Sequence, residues 1–366
     1  YDESRYQQQM AEALGTQHHI VTCSHADIGR VFPDVIWHAE TPVLRTSPAP
    51  MFLLSALVQQ HGLKVVLTGE GADELLAGYN IFKEMKVRRF WARQPASAWR
   101  PLLLKRLYPY LADLGRTGAY RLTFFRQGLT DTDSPFYSHD IRWTTTARTH
   151  HFLSHGGPAR DDRAWEKDIA LPSGFSAWSH LAQAQYLEIA YFLSPYLLSS
   201  QGDRMTMAHS VEGRYPFLDA RVVEFCSRLP SKMKMRGLTE KWLLKQLGRN
   251  LVPEAIWQRP KQPYRAPIHR SFFGPGAPDY VGELLSERAL RANGLFAPLP
   301  VRQLVRKAMQ SSHMTEVDQM ALAGILSTQL LHYHFIEALH LPTAAPAGRI
   351  KVVERLEPFV AIAEKG

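Results

Sequence analysis

The residues best suited to chemistry form a short turn, Thr68-Gly69-Glu70-Gly71-Ala72-Asp73-Glu74, which we call the acidic turn. Its two glycines let backbone amides approach a ligand closely, and such amides favour phosphate. Its three carboxylates favour a divalent cation, and Mg²⁺ commonly combines carboxylates with phosphate oxygens. The turn therefore predicts a site for a nucleotide whose phosphates are bridged by Mg²⁺. Capping of the next helix by the acidic residues is an equally good interpretation.

A second segment, residues 199–219, threads charges through an otherwise apolar stretch. Charged groups set among apolar residues need partners, so we predict a buried ion-pair lattice that locks helices together and shapes the pocket. Direct catalysis by these residues is the less favoured interpretation. They are Asp203, Arg204, Glu212 and Arg214, and the segment ends with Pro216-Phe217-Leu218-Asp219.

Two basic segments follow. Lys241 enters an amphipathic helix just after a turn that contains glycine, where its ammonium group can reach an anionic ligand. Most lysines in such places are simply solvated. Residues 259–267, Arg-Pro-Lys-Gln-Pro-Tyr-Arg-Ala-Pro, form a stiff basic loop that either lies over an anionic pocket or connects two elements at the surface.

Cysteine and histidine give no metal-binding pattern. Cys23 and Cys226 are not paired in a CxxC motif, which argues against a disulfide framework and a zinc site and predicts ordinary buried thiols. The sixteen histidines show no ligand spacing on a helix.

The elements that position the acidic turn have the pattern of a parallel α/β layer. Residues 4–14 predict a helix that stops at Gly15, residues 19–22 a short strand, and residues 51–60 an amphipathic helix. Residues 64–68 predict a buried strand that ends at the acidic turn, with a helix from the turn through Tyr79. Ligands gather at such carboxyl ends of strands, and the chain is expected to begin in mid-domain.

The rest of the chain is predicted to be mainly helical. Residues 85–210 offer few convincing strands, and residues 129–180 predict a surface loop or a poorly ordered segment. Further helical patterns cover residues 179–198, 221–228 and 241–249, and prolines interrupt the sequence that follows. We divide the chain into a partial α/β nucleotide-binding part (1–85), a mainly helical part of the same domain (86–341) and a peripheral tail (342–366).

The composition of the chain indicates which class of ligand or partner it is expected to bind. The chain has 366 residues, 45% of them hydrophobic, and its 43 Lys and Arg exceed 34 Asp and Glu to give a net charge of +9. This charge favours a polyanion, and without a recognisable nucleic-acid module we prefer a small phosphate-bearing ligand. Neither a long apolar span nor a secretory signal is present in the sequence, so we expect no membrane partner and a cytoplasmic location.

Taken together and in order, five segments resemble the asparagine synthetase family: Tyr-Asp-Glu-Ser at 1–4, residues 65–79, residues 203–219, Thr-Glu-Lys-Trp-Leu-Leu at 239–244, and residues 259–267. The resemblance implies an α/β fold, namely part of the parallel sheet of an ATP-pyrophosphatase-type (adenine nucleotide alpha hydrolase-like) domain, with large helical additions. It also implies an ATP-dependent carbon-nitrogen ligase. ATP adenylates the side-chain carboxylate of aspartate, and ammonia then displaces AMP to give asparagine.

The resemblance assigns roles by motif, with ATP and Mg²⁺ as cofactors. The expected nucleotide contacts are Thr68, Gly69 and Gly71. Glu70 is expected to support formation or aminolysis of the acyl-adenylate, and Asp73 to hold Mg²⁺ and pyrophosphate. Lys241 is expected to stabilise the negative charge that builds on the phosphates. The residues assigned to structure and pocket shape are Asp203, Arg204, Glu212, Arg214 and Asp219.

Departures from the family pattern shape the remaining expectations. Family members carry an N-terminal glutaminase domain that releases ammonia from glutamine, and a Ser-Gly-Gly-Leu-Asp-Ser pyrophosphate loop. Residues 1–366 contain neither, so we expect the chain to be inactive alone. The missing parts would come from the same precursor or from a separate chain, and a homodimer is possible. The alternative is a degenerate relative kept as a non-catalytic scaffold.

The acceptor acid is left open by the sequence. Relatives often have an aromatic residue and paired glycines in place of Leu76-Ala77-Gly78, and a smaller side chain in place of Tyr215. These differences allow an amidotransferase that acts on a sugar or a natural-product acid instead of aspartate. Residues 41–50, Thr-Pro-Val-Leu-Arg-Thr-Ser-Pro-Ala-Pro, are expected to border the substrate pocket.

Overall fold

A computed structural model describes residues 3–108, 122–155, 163–311 and 314–338. The predicted division at residue 341 and the tail at 342–366 lie outside these residues. The first part of the chain contains α1 (Ser4–Leu14), α2 (His25–Ala39), α3 (Pro48–Gln60), β1 (Val65–Leu67), α4 (Ala72–Leu75) and α5 (Asn80–Ala92). The middle part contains α6 (Asp140–Ala147), α7 (His180–Glu188), α8 (Arg204–Met207) and β2 (Glu212–Arg214).

Short helices dominate the remainder. They are α9 (Ala220–Arg228), α10 (Ser231–Lys234), α11 (Trp242–Gly248), α12 (Glu254–Trp257), α13 (His269–Phe273), α14 (Tyr280–Leu284), α15 (Glu287–Asn293), α16 (Pro298–Gln310) and α17 (Glu316–His332). Segments of 3₁₀-helix cover Arg100–Arg106, Arg148–Phe152, Ala164–Asp168, Phe175–Ala177 and Pro216–Leu218, and π-helix covers Ile189–Asp203 and Tyr333–Glu337. No helix in the described part of the chain is long and apolar enough to cross a membrane.

Local sequence accounts for the ends of the longer helices. Gly15 adopts a left-handed conformation (φ 62°) and ends α1, as predicted. A capping box begins α2, because the Ser24 side chain accepts from the Asp27 amide and the Asp27 side chain accepts from Ser24. Thr315 and Asp318 form the same motif at the start of α17. These caps satisfy amides that the first turn of a helix leaves unpaired.

The main hydrophobic core forms around α2 and α17. It joins buried side chains that include Phe32 and Leu322, both 0% exposed, with apolar residues from α13 to α16. A smaller cluster packs α5 against α7 through Phe82 and Ala184. The mainly helical architecture predicted for the middle and end of the chain is therefore confirmed.

The two strands of the described residues pair in parallel, and Val65, Val66 and Leu67 lie opposite Glu212, Gly213 and Arg214. The prediction of a strand before the acidic turn is confirmed, but the prediction that it is buried is wrong. Val65 is 37% exposed and Leu67 is 73% exposed, because this small sheet presents one face to solvent. An apolar, β-branched sequence specifies the strand but not what covers it.

Other local predictions also need correction. Residues 19–22 form no strand, since no strand among the described residues pairs with them. The helix after the acidic turn stops at Leu75 and resumes at Asn80, because Ala77 takes a left-handed conformation (φ 56°). The segment predicted as a surface loop at 129–180 contains α6 and buried residues such as His139, although residues 156–162 lie outside the description.

Candidate active site

The acidic turn lies at the carboxyl end of β1. The Thr68 amide donates to the Arg214 carbonyl at 2.9 Å and extends the pairing of the two strands by one bond. Gly69 follows in open space, since a Cβ atom added there would meet nothing within 4 Å. Its backbone is therefore accessible to a ligand, as its predicted contact with the nucleotide requires.

Gly71 has a different environment. It adopts φ 91°, and an added Cβ would lie 2.3 Å from a methyl group of Leu218. Glycine is required here by conformation and by the close approach of the segment Pro216–Leu218. The contact of Gly71 with the nucleotide stays a prediction.

Asp73 is the centre of a charged cluster. Lys241 Nζ lies 2.9 Å from its Oδ1, and Lys261 Nζ donates to its Oδ2 at 3.1 Å. Gly78 makes this arrangement possible, because a Cβ at that position would lie 1.9 Å from Asp73 Oδ1 and 2.4 Å from Lys241 Cε. The fold thus brings two ammonium groups to the acidic turn from distant parts of the sequence.

The two lysines reach the turn in different ways. Lys241 has a left-handed backbone conformation (φ 48°), immediately before α11, and its amide donates to the Leu76 carbonyl at 3.1 Å. Lys261 comes from the basic loop 259–267 and also approaches the ring of Tyr79, at 5.8 Å. Of the two interpretations of that loop, the structure favours the one in which it lies over the acidic turn.

Two carboxyl groups of the turn are partly or fully withdrawn from water. Burial, followed by the nearby Asp73, raises the pKa of Glu70, although Lys261 and Lys241 act in the opposite direction. Glu74 is 0% exposed and accepts a hydrogen bond from the Tyr79 hydroxyl at 2.7 Å. Burial raises its pKa to about 7. Such groups are suited to proton transfer near neutral pH.

Three buried oxygens of the turn have no hydrogen-bond partner within the described structure. They are Thr68 Oγ1, Asp73 Oδ1 and Glu74 Oε2. Buried polar atoms are rarely left without a hydrogen bond, so these oxygens are candidates for contact with a bound water or ligand. In particular, the contact of Asp73 Oδ1 with Lys241 is an ion pair without hydrogen-bond geometry.

Mg²⁺ fits this turn only as a bridging ion. No group of three His, Cys, Asp or Glu side chains that could hold a metal occurs among the described residues. Asp73 Oδ1 makes no hydrogen bond but is ion-paired with Lys241, so Asp73 would offer a single carboxylate to an ion that takes its other ligands from phosphate and water.

The predicted buried ion-pair lattice in residues 199–219 is wrong. Arg204 pairs with Glu40 at 2.7 Å, with the two side chains 43% and 55% exposed. Glu212 pairs with Arg214 at 2.8 Å, also at the surface, and Asp219 pairs with Arg221 and caps α9. Only the Glu212–Arg214 pair lies on β2, in the small open sheet, and all three pairs are solvent-exposed, so they contribute little to stability.

Asp203 does reach the site edge. It accepts a hydrogen bond from the Tyr215 hydroxyl at 2.5 Å. Tyr215 directly follows β2, at the same edge of the sheet as the acidic turn, and its hydroxyl group lies against Gly213 and Gly202. The bulky side chain that departs from the family pattern therefore occupies the rim of the candidate site.

Residues 41–50 contribute to a separate cavity of about 280 Å³. Arg45 and Arg265 line it and pair with Glu316 at 3.0 and 3.6 Å. Arg265 belongs to the basic loop, so that loop connects this cavity to the acidic turn. The assignment of the cavity to a substrate stays a prediction.

Two residues near the acidic turn carry no local sequence signal for the contacts that they make. Lys261 was visible only as part of a basic loop, and nothing local indicated that it would contact Asp73. Glu240, next to Lys241, is 3% exposed and pairs with Lys83 and Lys245. Glu240 lies inside the family-like segment 239–244, which indicated that it could belong to the site. The sequence of that segment does not indicate that its side chain is buried.

A glycine-rich acidic turn at the end of a parallel strand, faced by two lysines, is the arrangement expected of a site for a phosphate-bearing ligand. Comparison with known families agrees with this class. The asparagine synthase family matches residues 1–333, and the chain belongs to this family. The resemblance stated from the sequence is thereby confirmed.

Curated relatives are of two kinds. Asparagine synthetase [glutamine-hydrolyzing] 1 of Bacillus subtilis is 27% identical over 73% of this chain and 41% of its own length. A putative asparagine synthetase of Mycobacterium tuberculosis is 29% identical over 70% of this chain and 38% of its own. Amidase chyE of Penicillium rubens is 26% identical over 88% of this chain and 49% of its own. The chain thus spans half or less of the length of these relatives.

Proposed function

We propose that the chain is the synthetase part of an ATP-dependent amide-forming ligase, with the reaction of an asparagine synthetase. A carboxylate oxygen of the acceptor acid attacks the α-phosphorus of ATP and releases pyrophosphate. Ammonia then attacks the acyl carbon, and AMP leaves with the electrons of the broken bond. The observation that carries this proposal is the pair of lysines held against the acidic turn.

The residues of the turn have complementary roles in this reaction. Thr68 and Gly69 contact the nucleotide, since the Thr68 hydroxyl oxygen is unpaired and the Gly69 backbone is open. Lys241 and Lys261 neutralise charge on the phosphates, because positioned cations are the main source of catalysis in such transfers. Asp73 would hold Mg²⁺, which supplies further charge neutralisation when it is bound.

Glu70 is proposed to act in the aminolysis half. Its raised pKa suits a carboxylate that takes a proton from the attacking nitrogen. Proton removal prevents the ammonia from leaving again and allows the C–O bond to AMP to break.

Another part of the enzyme is proposed to complete the site. It would provide the pyrophosphate loop and a glutaminase that supplies ammonia, in the same precursor or as a separate chain. The length of the relatives supports this, as does the apolar surface along β1, where Leu63, Val65 and Leu67 are 54%, 37% and 73% exposed. A homodimer remains a proposal.

The acceptor is proposed to be aspartate, which the asparagine synthetase relatives favour. The amidase-named relatives and the bulky Tyr215 favour the second candidate, an amidotransferase that acts on another carboxylic acid or a sugar. The two are separated by comparing aspartate with other acids as the compound that drives exchange of labelled pyrophosphate into ATP.

The test is Glu70→Gln in the complete enzyme, native precursor or complex. We expect asparagine formation to fall by at least about 100-fold, as for removal of a general base, with an unchanged circular-dichroism spectrum. Near-normal turnover in the variant would remove the role of Glu70. If the unmodified complete enzyme neither binds ATP nor catalyses exchange with any acid, the scaffold interpretation replaces the ligase.

A further inference from the structure

A buried carboxylate next to Lys241 links the parts of the chain that carry the two lysines. Glu240 Oε2 lies 2.6 Å from Lys83 Nζ on α5. Its Oε1 accepts from Lys245 Nζ on α11 at 3.0 Å and from the backbone amide of Lys261 at 2.9 Å. One carboxylate therefore contacts two helices, α5 and α11, and the basic loop.

The loop is held at two points. The Lys261 amide is bound directly by Glu240, and Lys245 Nζ, itself paired with Glu240, donates to the Arg259 carbonyl at 3.0 Å. The backbone on both sides of Pro260 is thereby fixed. From this fixed backbone the Lys261 side chain extends to Asp73 Oδ2.

Lys241 is fixed from the same side. Its left-handed backbone is unfavourable for a residue other than glycine, so neighbouring contacts must hold it. The contacts of the buried Glu240 hold the chain just before Lys241. The bond from the Lys241 amide to the Leu76 carbonyl holds Lys241 itself.

We infer that Glu240 is a positioning residue that sets both Lys241 and Lys261 against the acidic turn, so that their ammonium groups meet the phosphates of the nucleotide. The phosphate role of the lysines rests on the proposed function, whereas the positioning itself does not. Glu240 touches neither the acidic turn nor its ligand and acts through the two lysines.

The first test measures the position of the loop without substrate. Lys83→Met/Glu240→Met replaces a buried ion pair by apolar side chains of similar length, an exchange that need not destabilise a fold. We expect the Lys261 amide to exchange its hydrogen at least about 10-fold faster in mass spectrometry, with exchange in α2 and α17 unchanged. Unchanged protection at Lys261 would overturn the inference.

A matched control removes another charged pair from the same helix. Glu84, next to Lys83 on α5, pairs with Arg142, and Glu84→Met/Arg142→Met leaves the contacts of Glu240 intact. This variant should retain protection at Lys261. Loss of protection in both variants would show general loosening of α5 and would overturn the inference.

The second test is kinetic and uses the complete enzyme. In Lys83→Met/Glu240→Met we expect the KM for ATP to rise about 10-fold and pyrophosphate exchange to slow, with the KM for the acceptor acid unchanged. Equal changes in both KM values would indicate a purely structural role and contradict the inference. Because exchange at Lys261 is measured without substrate, a failure of the proposed function is distinguished from a failure of the positioning.

If the double variant does not fold, the unmodified protein still decides the question. Lys261 donates its amide hydrogen to Glu240, whereas the amide of Gln262 makes no hydrogen bond within the described chain. Residue-resolved exchange should therefore show slower exchange at Lys261 than at Gln262. Equal rates would overturn the inference.

Discussion

Gly69 and Gly71 both lack a side chain, but for different reasons: one leaves space for a ligand and the other is required by the fold. The space beside Gly69 is open, so only a ligand would be excluded by a side chain there. Gly71 combines a positive φ with contact to Leu218, so the fold itself excludes a side chain. Single residues of the same type in one motif can therefore be assigned to binding or to folding by what surrounds them.

Replacing each glycine by alanine distinguishes a role in nucleotide binding from a role in folding. Gly69→Ala should change the free energy of unfolding by less than about 1 kcal/mol and raise the KM for ATP. Gly71→Ala should lower the free energy of unfolding by roughly 2 to 4 kcal/mol, from overpacking and an unfavourable φ. Urea denaturation and exchange kinetics measure both effects. An unchanged KM for ATP in Gly69→Ala would place the nucleotide elsewhere.

At the scale of elements, the break between α4 and α5 is as important as the helices. The left-handed Ala77 redirects the chain, and Gly78 then passes so close to Asp73 and Lys241 that their side chains meet across it. A continuous helix from the acidic turn to Tyr79, as the sequence predicts, would not create this crossing. The interruption of the helix thus assembles the charged cluster.

Gly78→Ala should separate Asp73 from Lys241. The added methyl group needs the space of both side chains, so we expect at least about a 10-fold loss of pyrophosphate exchange and a cost of about 1 to 3 kcal/mol in unfolding free energy. Ala77→Gly is the matched control. Its lost methyl contact and its relieved φ oppose each other, so stability should change by less than about 1 kcal/mol. Full activity in Gly78→Ala would contradict this account of the crossing.

Across the whole molecule, long-range ion pairs join segments that are far apart in the chain. Glu240 pairs with Lys83 on α5 and accepts a hydrogen bond from the basic loop, and Asp73 joins the acidic turn to both lysines. Burial alone would raise the pKa of Glu240, but hydrogen bonds and attraction from Lys83 and Lys245 lower it to about 2. This difference makes the stability of the whole fold depend on pH.

The sign of that dependence follows from proton binding. A carboxyl group whose pKa is lower in the folded state contributes stability above its ordinary value of 4.5, and the contribution is lost as the pH falls toward 2. Between about pH 6 and pH 3, the unmodified protein should lose on the order of 2 kcal/mol more unfolding free energy than Lys83→Met/Glu240→Met. Urea denaturation at each pH measures this. Parallel pH curves for the two proteins would show that Glu240 is not stabilised as a carboxylate.

The sequence by itself determined the family, the helical character of most of the chain, the strand at 65–67 and the acidic turn as the place to examine. These properties depend on local spacing and on ordered motifs, which a single chain displays directly. The roles predicted for Thr68, Gly69, Glu70, Asp73 and Lys241 remain predictions, although the structure brings Lys241 to Asp73.

Only the tertiary structure decided which charges meet and which are exposed. Lys261 lies 188 residues from Asp73 in the sequence and contacts it, while the charges of β2 remain at the surface in local pairs. The periodicity of apolar residues indicates which face of a helix or strand is buried. The partner of a charged side chain depends instead on how distant elements pack. The burial of Glu240 and the assembly of the two lysines were therefore beyond the sequence, because both arise from contacts between segments that no local pattern connects.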